Sequence, residues 1–162
     1  MADINRAVEK LQGKLGASLL EVKQDRGDWI VTVKKEDIVQ VLSFLKQECK
    51  YEMLTDVTAI DNMGKAGDRF MMVYQLTSVS FKDRLRVKAP VAEDACMIDS
   101  ATQVYASANW LEREVFDLFG IRFNKHPDLR RILMTPDWEG HPLRKDYPLQ
   151  GPGREPYKGR LS

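Results

Sequence analysis

A chain of 162 residues with a formal net charge of +1 can form one compact domain plus a modest extension without a disulfide or metal staple, and it lacks the basic excess that bulk nucleic-acid binding needs. Cys49 and Cys96, the only two cysteines, form no Cys-x-x-Cys motif and fall short of the about four ligands of an iron–sulfur cluster, so they read as reduced, mostly buried thiols. The longest apolar runs are far below the ~20 residues of a spanning helix, and the start MADINRAVEK is acidic and polar where a signal peptide is basic and then apolar, so a cytoplasmic-side protein with only indirect membrane attachment is expected.

In chain order, Ile4, Val8, Leu11 and Leu15 repeat with helical spacing, and Gly16 can stop that helix. Two short strands follow, near Ser18–Lys23 and Trp29–Lys34, with Arg26-Gly27-Asp28 as the turn. Ile38, Val41, Leu42 and Leu45 mark a second amphipathic helix over Glu36–Glu48. Three β-rich runs come next, Tyr51–Ile60, Arg69–Val79 and Arg84–Val91, with Asn62-Met63-Gly64 and Lys82-Asp83 between them. A last helix spans Asn109–Phe119. Asn109 can cap it, with Glu112 at the N3 position of a capping box and Gly120 as its terminator. Its apolar stripe is Leu111, Val115, Leu118 and Phe119, which leaves Glu112, Arg113 and Asp117 for another face. Arg113 and Asp117 stand at the i, i+4 spacing of an ion pair. This order predicts an α+β fold, a two-layer sandwich of a mixed β-sheet with helices on one face, over residues 1–121.

Residues 122–162 differ. They hold nine Lys/Arg against five Asp/Glu, and six of the seven prolines, which forbid a long helix or a central strand. Large side chains nevertheless persist at Leu129, Ile132, Leu133, Met134, Trp138, Leu143, Tyr147, Leu149 and Tyr157. Arg130, Arg131, Arg144, Lys145 and Arg154 add the charge that binding hot spots favour. The segment reads as a Pro-rich, basic, extended C-terminal tail that binds a partner. The alternative is a tail that wraps its own domain, and both hold if the first part wraps and the end projects.

Three stretches carry a resemblance. Ser107-Ala108-Asn109-Trp110-Leu111-Glu112-Arg113-Glu114-Val115-Phe116-Asp117-Leu118-Phe119-Gly120-Ile121 closely resembles the signature of the C-subunit family of bacterial respiratory complex I, the proton-translocating NADH:quinone oxidoreductase (the J subunit in the chloroplast relative). His126-Pro127-Asp128-Leu129-Arg130-Arg131-Ile132-Leu133 continues it, and Trp138-Glu139-Gly140-His141-Pro142-Leu143-Arg144-Lys145-Asp146-Tyr147-Pro148 completes it. Upstream, Asp56-Val57-Thr58-Ala59-Ile60-Asp61 is similar to the family's strand segment. Leu111 departs from a common aromatic, and Asn124-Lys125 from a small residue.

The resemblance implies a non-redox scaffold subunit of the peripheral arm, at the cytoplasmic side of the bacterial inner membrane, against the B, D and I subunits. The assembled enzyme passes electrons from NADH through FMN and iron–sulfur clusters to a quinone such as ubiquinone and couples this to proton translocation. The chain itself is expected to hold no cofactor, metal or catalytic residue. Because it stops soon after the last motif, it looks like the stand-alone form rather than one fused to the neighbouring D subunit. The signature residues expected to bind partners are Glu112, Arg113, Glu114, Asp117, His126, Asp128, Arg130, Arg131, Trp138, His141, Arg144, Lys145, Asp146 and Tyr147. The equivalent subunit of a membrane-bound hydrogenase or another complex I-like dehydrogenase is the alternative.

Other chemistry finds little to rest on. Glu112 and Glu114 point about 200° apart on a helix, so the two carboxylates do not converge as an acid–base pair. His126 and His141 lack the further ligands of a zinc site and read as rings that pin turns. No phosphate-binding glycine motif is present, and Gly151-Pro152-Gly153 reads as a turn.

Overall fold

The computed structural model describes residues 6–149. The expected helix start at Ile4, the Gly151-Pro152-Gly153 turn and the anchors Arg154 and Tyr157 lie outside the described residues. The elements are α1 (Arg6–Leu15), β1 (Leu19–Asp25), β2 (Asp28–Val33), α2 (Ile38–Cys49), β3 (Met53–Asp61), β4 (Phe70–Ser78), β5 (Asp83–Val91), β6 (Met97–Asp99), α3 (Ala108–Phe119) and β7 (Arg122–Asn124). The fold is the α+β sandwich that the element order predicts.

Five strands form one sheet in the order β1-β2-β5-β4-β3. Within it only β2 and β5 run parallel, so the sheet is mixed. The β1–β2 hairpin closes through Arg26 and Gly27, both at positive φ, the geometry of a two-residue turn whose twist matches the strands.

Register fixes which face is buried. Met72 stands opposite Ala89 and Tyr74 opposite Val87. Ala59 faces Met72 and Val57 faces Tyr74 across the next pair. All of these are buried, and they share one core with Val8 and Leu11 of α1, Leu42 and Leu45 of α2, and Val115 and Phe119 of α3. Alternate positions such as Thr58, Ile60, Gln75 and Lys88 remain partly or fully exposed, so the helices cover a single face, as a period of two requires.

Two elements go beyond the sequence pattern. β6 and β7 make a short parallel pair that places Ile98 beside Phe123, and both side chains are buried. The packed region therefore continues past Ile121. Three-residue strands carry too little alternation to be legible.

The expected capping box at α3 does not form. The helix starts at Ala108 after Ser107, which makes no side-chain cap bond; the Ser107 hydroxyl donates to the Leu54 carbonyl instead. Glu112 turns inward to donors on the loop after β6. Gly120 ends the helix as expected, at φ +74 with its N–H on the Phe116 carbonyl.

Candidate partner-binding site

On α3 the apolar stripe accounts for one buried face only. Glu112 and Asp117 are 0 % exposed and Arg113 is 8 % exposed, because the segment after β7 folds back over them. The i, i+4 pair does not form: Arg113 and Asp117 are each taken by that strap. Arg113 donates from Nε to the Arg130 carbonyl at 3.1 Å and from Nη2 to the Arg131 carbonyl at 3.3 Å, with its guanidinium 5.5 Å from the Trp110 ring centroid.

Asp117 is the centre of the clasp. Its Oδ2 accepts the N–H groups of Ile132, Leu133 and Met134 at 3.0, 2.8 and 2.8 Å. Its Oδ1 accepts Arg131 Nη1 at 2.6 Å. Burial raises the carboxyl's proton affinity, but the Met134 N–H, the Arg131 guanidinium and the two other amides outweigh it and hold the acid below its ordinary range. Arg131 goes on to the carbonyls of Trp138 and Gly140 at 3.0 and 3.1 Å. One guanidinium thereby closes the loop between the second and third signature stretches.

The third stretch wraps the C-terminus of α3, where backbone carbonyls lack intrahelical donors. His141 donates from Nδ1 to the Asp117 carbonyl at 2.9 Å, Leu143 N–H reaches the Leu118 carbonyl at 3.0 Å, and Arg144 Nε reaches the Phe119 carbonyl at 2.6 Å. Burial lowers the His141 pKa, which favours the neutral ring. Tyr147 donates to the Glu139 carbonyl at 3.2 Å.

The strap is then riveted to the sheet by Asp61 and Arg69, which lie outside the expected partner-binding set. Asp61 at the end of β3 accepts Lys145 N–H at 2.9 Å and Arg69 Nη2 at 3.0 Å. Arg69 also holds Asp146 at 2.7 Å, and it contacts Glu93. Burial would raise the Asp61 pKa, yet the Arg69 guanidinium and the Lys145 and Met63 amides lower it to about 2. Nothing in local spacing marks this cluster, since Asp61, Arg69 and Asp146 meet only in the fold.

Glu112 accepts the Ser100 hydroxyl and the Ala101 N–H, each at 2.6 Å, and lies 4.0 Å from His126 Nε2. His126 Nε2 reaches the Asn109 carbonyl, and its Nδ1 accepts Asp128 N–H. Both histidine rings are therefore tied into turns.

Trp138 is half-buried, and the other remaining signature residues face outward. Glu114 is exposed, and Arg130 pairs with Asp128 at the surface. Around the clasp stand Trp110, Ile132, Leu133 and Leu143, exposed by 59, 40, 56 and 51 %. So Glu112, Arg113, Asp117, Arg131, His141 and Arg144 build the platform, while Trp110, Ile132, Leu133, Leu143, Glu114 and Arg130 are open to another molecule. Among the described residues, no group of three His, Cys, Asp or Glu could hold a metal ion, and no helix is long and apolar enough to cross a membrane.

The family described as "Respiratory-chain NADH dehydrogenase, 30 Kd subunit" matches residues 31–153. A protein of Trichlorobacter lovleyi named as the C subunit of NADH-quinone oxidoreductase is 88 % identical over the whole of both chains. The solved structure titled "Nqo5 of the trypsin-resistant fragment (1-134) in P63 form" superposes with TM-score 0.68 at 28 % identity, covering 76 % of this chain and 99 % of that one. A chain of the membrane-bound sulfane sulfur reductase, an archaeal respiratory membrane complex, superposes with TM-score 0.74 at 26 % identity, covering 88 % of this chain and 84 % of the other.

Proposed function

The chain belongs to the 30 Kd subunit family of respiratory-chain NADH dehydrogenase, and on that premise we propose that it is a scaffold subunit of the peripheral arm of complex I, docking through the strapped face of α3. The observation that carries the docking site is the contrast within the signature. Most of its charged residues are consumed in building a rigid clasp, while apolar Trp110, Ile132, Leu133 and Leu143 remain exposed around it. Exposed aromatic and aliphatic side chains rimmed by Arg and Glu match the composition of interface anchors.

In this reading residues 122–162 serve as the partner-binding extension, against the B, D and I subunits. The assembled enzyme moves electrons from NADH through FMN and iron–sulfur clusters in those and other subunits to a quinone, with proton translocation. The chain contributes no cofactor and sits peripherally on the cytoplasmic face of the membrane. The full-length likeness at 88 % to a protein named as an NADH-quinone oxidoreductase subunit favours this over the corresponding subunit of a hydrogenase.

Affinity purification of the tagged full chain from membranes, with mass spectrometry of its companions, tests it. NADH-oxidising and quinone-reducing subunits should co-purify. Recovery of the chain alone, or with hydrogenase subunits, would refute the reading.

A further inference from the structure

Glu112 carries chemistry that docking does not use. Its side chain is fully buried, and among the described residues His126 is the one basic group within 4.0 Å. From β4 comes the Tyr74 phenol, also fully buried and with no hydrogen-bond partner; burial first, and the Glu112 charge second, push its pKa well above the ordinary phenol value. The segment after β6 supplies the Ser100 hydroxyl and the Ala101 N–H, neither of which titrates near neutrality. On α3 itself, Arg113 is committed to the carbonyls of Arg130 and Arg131. The turn at residues 125–128 brings His126.

As placed, His126 is no counter-ion. Its Nδ1 accepts the Asp128 N–H at 3.0 Å, so the ring proton is on Nε2, which donates to the Asn109 carbonyl at 3.1 Å. A second proton would have to enter at Nδ1 and break the Asp128 bond. The imidazole is a lid with a fully buried side chain.

We propose that Glu112 and the turn at residues 125–128 form a proton-operated latch, closed over the protonated carboxyl and opened to water when the carboxyl ionises. An ionised group without a cation is costly in a dry site, and hydration relieves that cost. Of the groups just named, His126 is the cover carried by a short turn rather than by the sheet, the helix or a hydrogen bond to the carboxylate itself. Burial, opposed by the Ser100 and Ala101 bonds, raises Glu112 to about 7, which sets the latch in the neutral range. In the closed state the acid proton sits on Glu112 Oε2 and is donated to Ser100 Oγ, whose own hydroxyl turns to Thr102 Oγ1; on opening that proton leaves for solvent and the Ser100 hydroxyl donates to the carboxylate. The Asp128 N–H exchanges its Nδ1 acceptor for water. The moving turn leads directly into Arg130–Met134, so the latch acts at the root of the strap.

Nuclear magnetic resonance on the full chain tests this, with the Glu112 carboxyl carbon, the His126 ring nitrogens and the Asp128 amide followed from about pH 5.5 to about pH 8.5. The carboxyl carbon should titrate near neutrality, and the Asp128 amide should shift with the same midpoint and lose about tenfold in exchange protection. Glu112→Gln should hold the closed amide shift across the range. A carboxyl titrating below about pH 5, an Asp128 amide that ignores the titration, or a His126 ring already doubly protonated at neutral pH would each overturn the latch. The wild-type titration decides even if the variant fails to fold, because all three signals come from one sample.

Discussion

Arg131 and Asp117 lie 2.6 Å apart, and the same carboxylate takes three consecutive backbone N–H groups from Ile132, Leu133 and Met134. Consecutive amides converging on one anion form a nest. Here the protein fills its own nest, so the strap is held by a side chain of the helix it crosses. Asp117→Ala would leave three amides without their acceptor and the Arg131 guanidinium without its counter-ion, though still on the Trp138 and Gly140 carbonyls. Breaking a buried pair in this way costs about 3–5 kcal/mol. Urea denaturation of the isolated chain should show that loss; a shift under about 1 kcal/mol would mean that the strap contributes nothing to the fold.

Acid should unfasten the strap from the sheet at low pH. Asp61 falls from an ordinary carboxyl value to about 2 in the folded chain. A depressed acid contributes stability that is present above the unfolded value and lost as pH falls through the folded one. The window therefore runs from about pH 4 down to about pH 2, and the contribution is on the order of 2 kcal/mol. Asp61→Asn should be less stable at pH 7 and should show a flatter profile in that window. An unchanged profile would contradict the Arg69–Asp61–Lys145 arrangement as the cause.

Glu112 acts with the opposite sign. Its raised pKa of about 7 means that the folded chain binds a proton more tightly than the unfolded one. Stability is then greatest below about pH 4.5 as far as this group is concerned, and declines as pH rises to about 7. Glu112→Gln should remove that decline. Thermal denaturation at pH 5 and pH 8 compares the two; an equal fall in both proteins would assign the decline elsewhere.

Gly120 is required twice over. Its φ of +74 favours a residue without a side chain, and an added Cβ would lie 2.5 Å from the His141 ring and 2.7 Å from Arg144 Nη2. Gly120→Ala should cost more than about 1 kcal/mol and should loosen residues 141–147, measured as faster proteolysis after Arg144. Wild-type cleavage rates would show that the ring moves aside freely.

Surface and platform variants should separate. Leu133→Asp and Trp110→Ala change exposed side chains, so the isolated chain should keep its stability to within about 0.5 kcal/mol while the assembled complex on a native gel falls. Arg113→Ala strikes the buried platform and should lower both. Quinone reductase turnover per assembled complex should stay near wild type in all three. A collapse of turnover with normal assembly would give this face a role in the chemistry.

The two-layer fold could be read from the chain because its signals are local. Leu42 and Leu45 repeat with a helical period, Met72 and Tyr74 alternate with a strand period, and Gly120 marks a stop; each reports which face is buried without reference to distant residues. The signature marked where the clasp on α3 lies for a similar reason, its charged residues being concentrated in α3 and the segment after it. What each residue does there was decided by tertiary structure alone. Arg113 and Asp117 have the spacing of a helical ion pair, yet a strap of backbone carbonyls and amides offered each a better partner than the other. Glu112 has the spacing of a capping box, but the loop after β6 placed two donors inside. Arg69 and Asp146 are 77 residues apart in the chain, and no periodicity links either of them to Asp61. A proline-rich segment has no repeating pattern from which its path could be read. Its course is set by hydrogen bonds to one helix end and one strand end, and these exist only once both are in place.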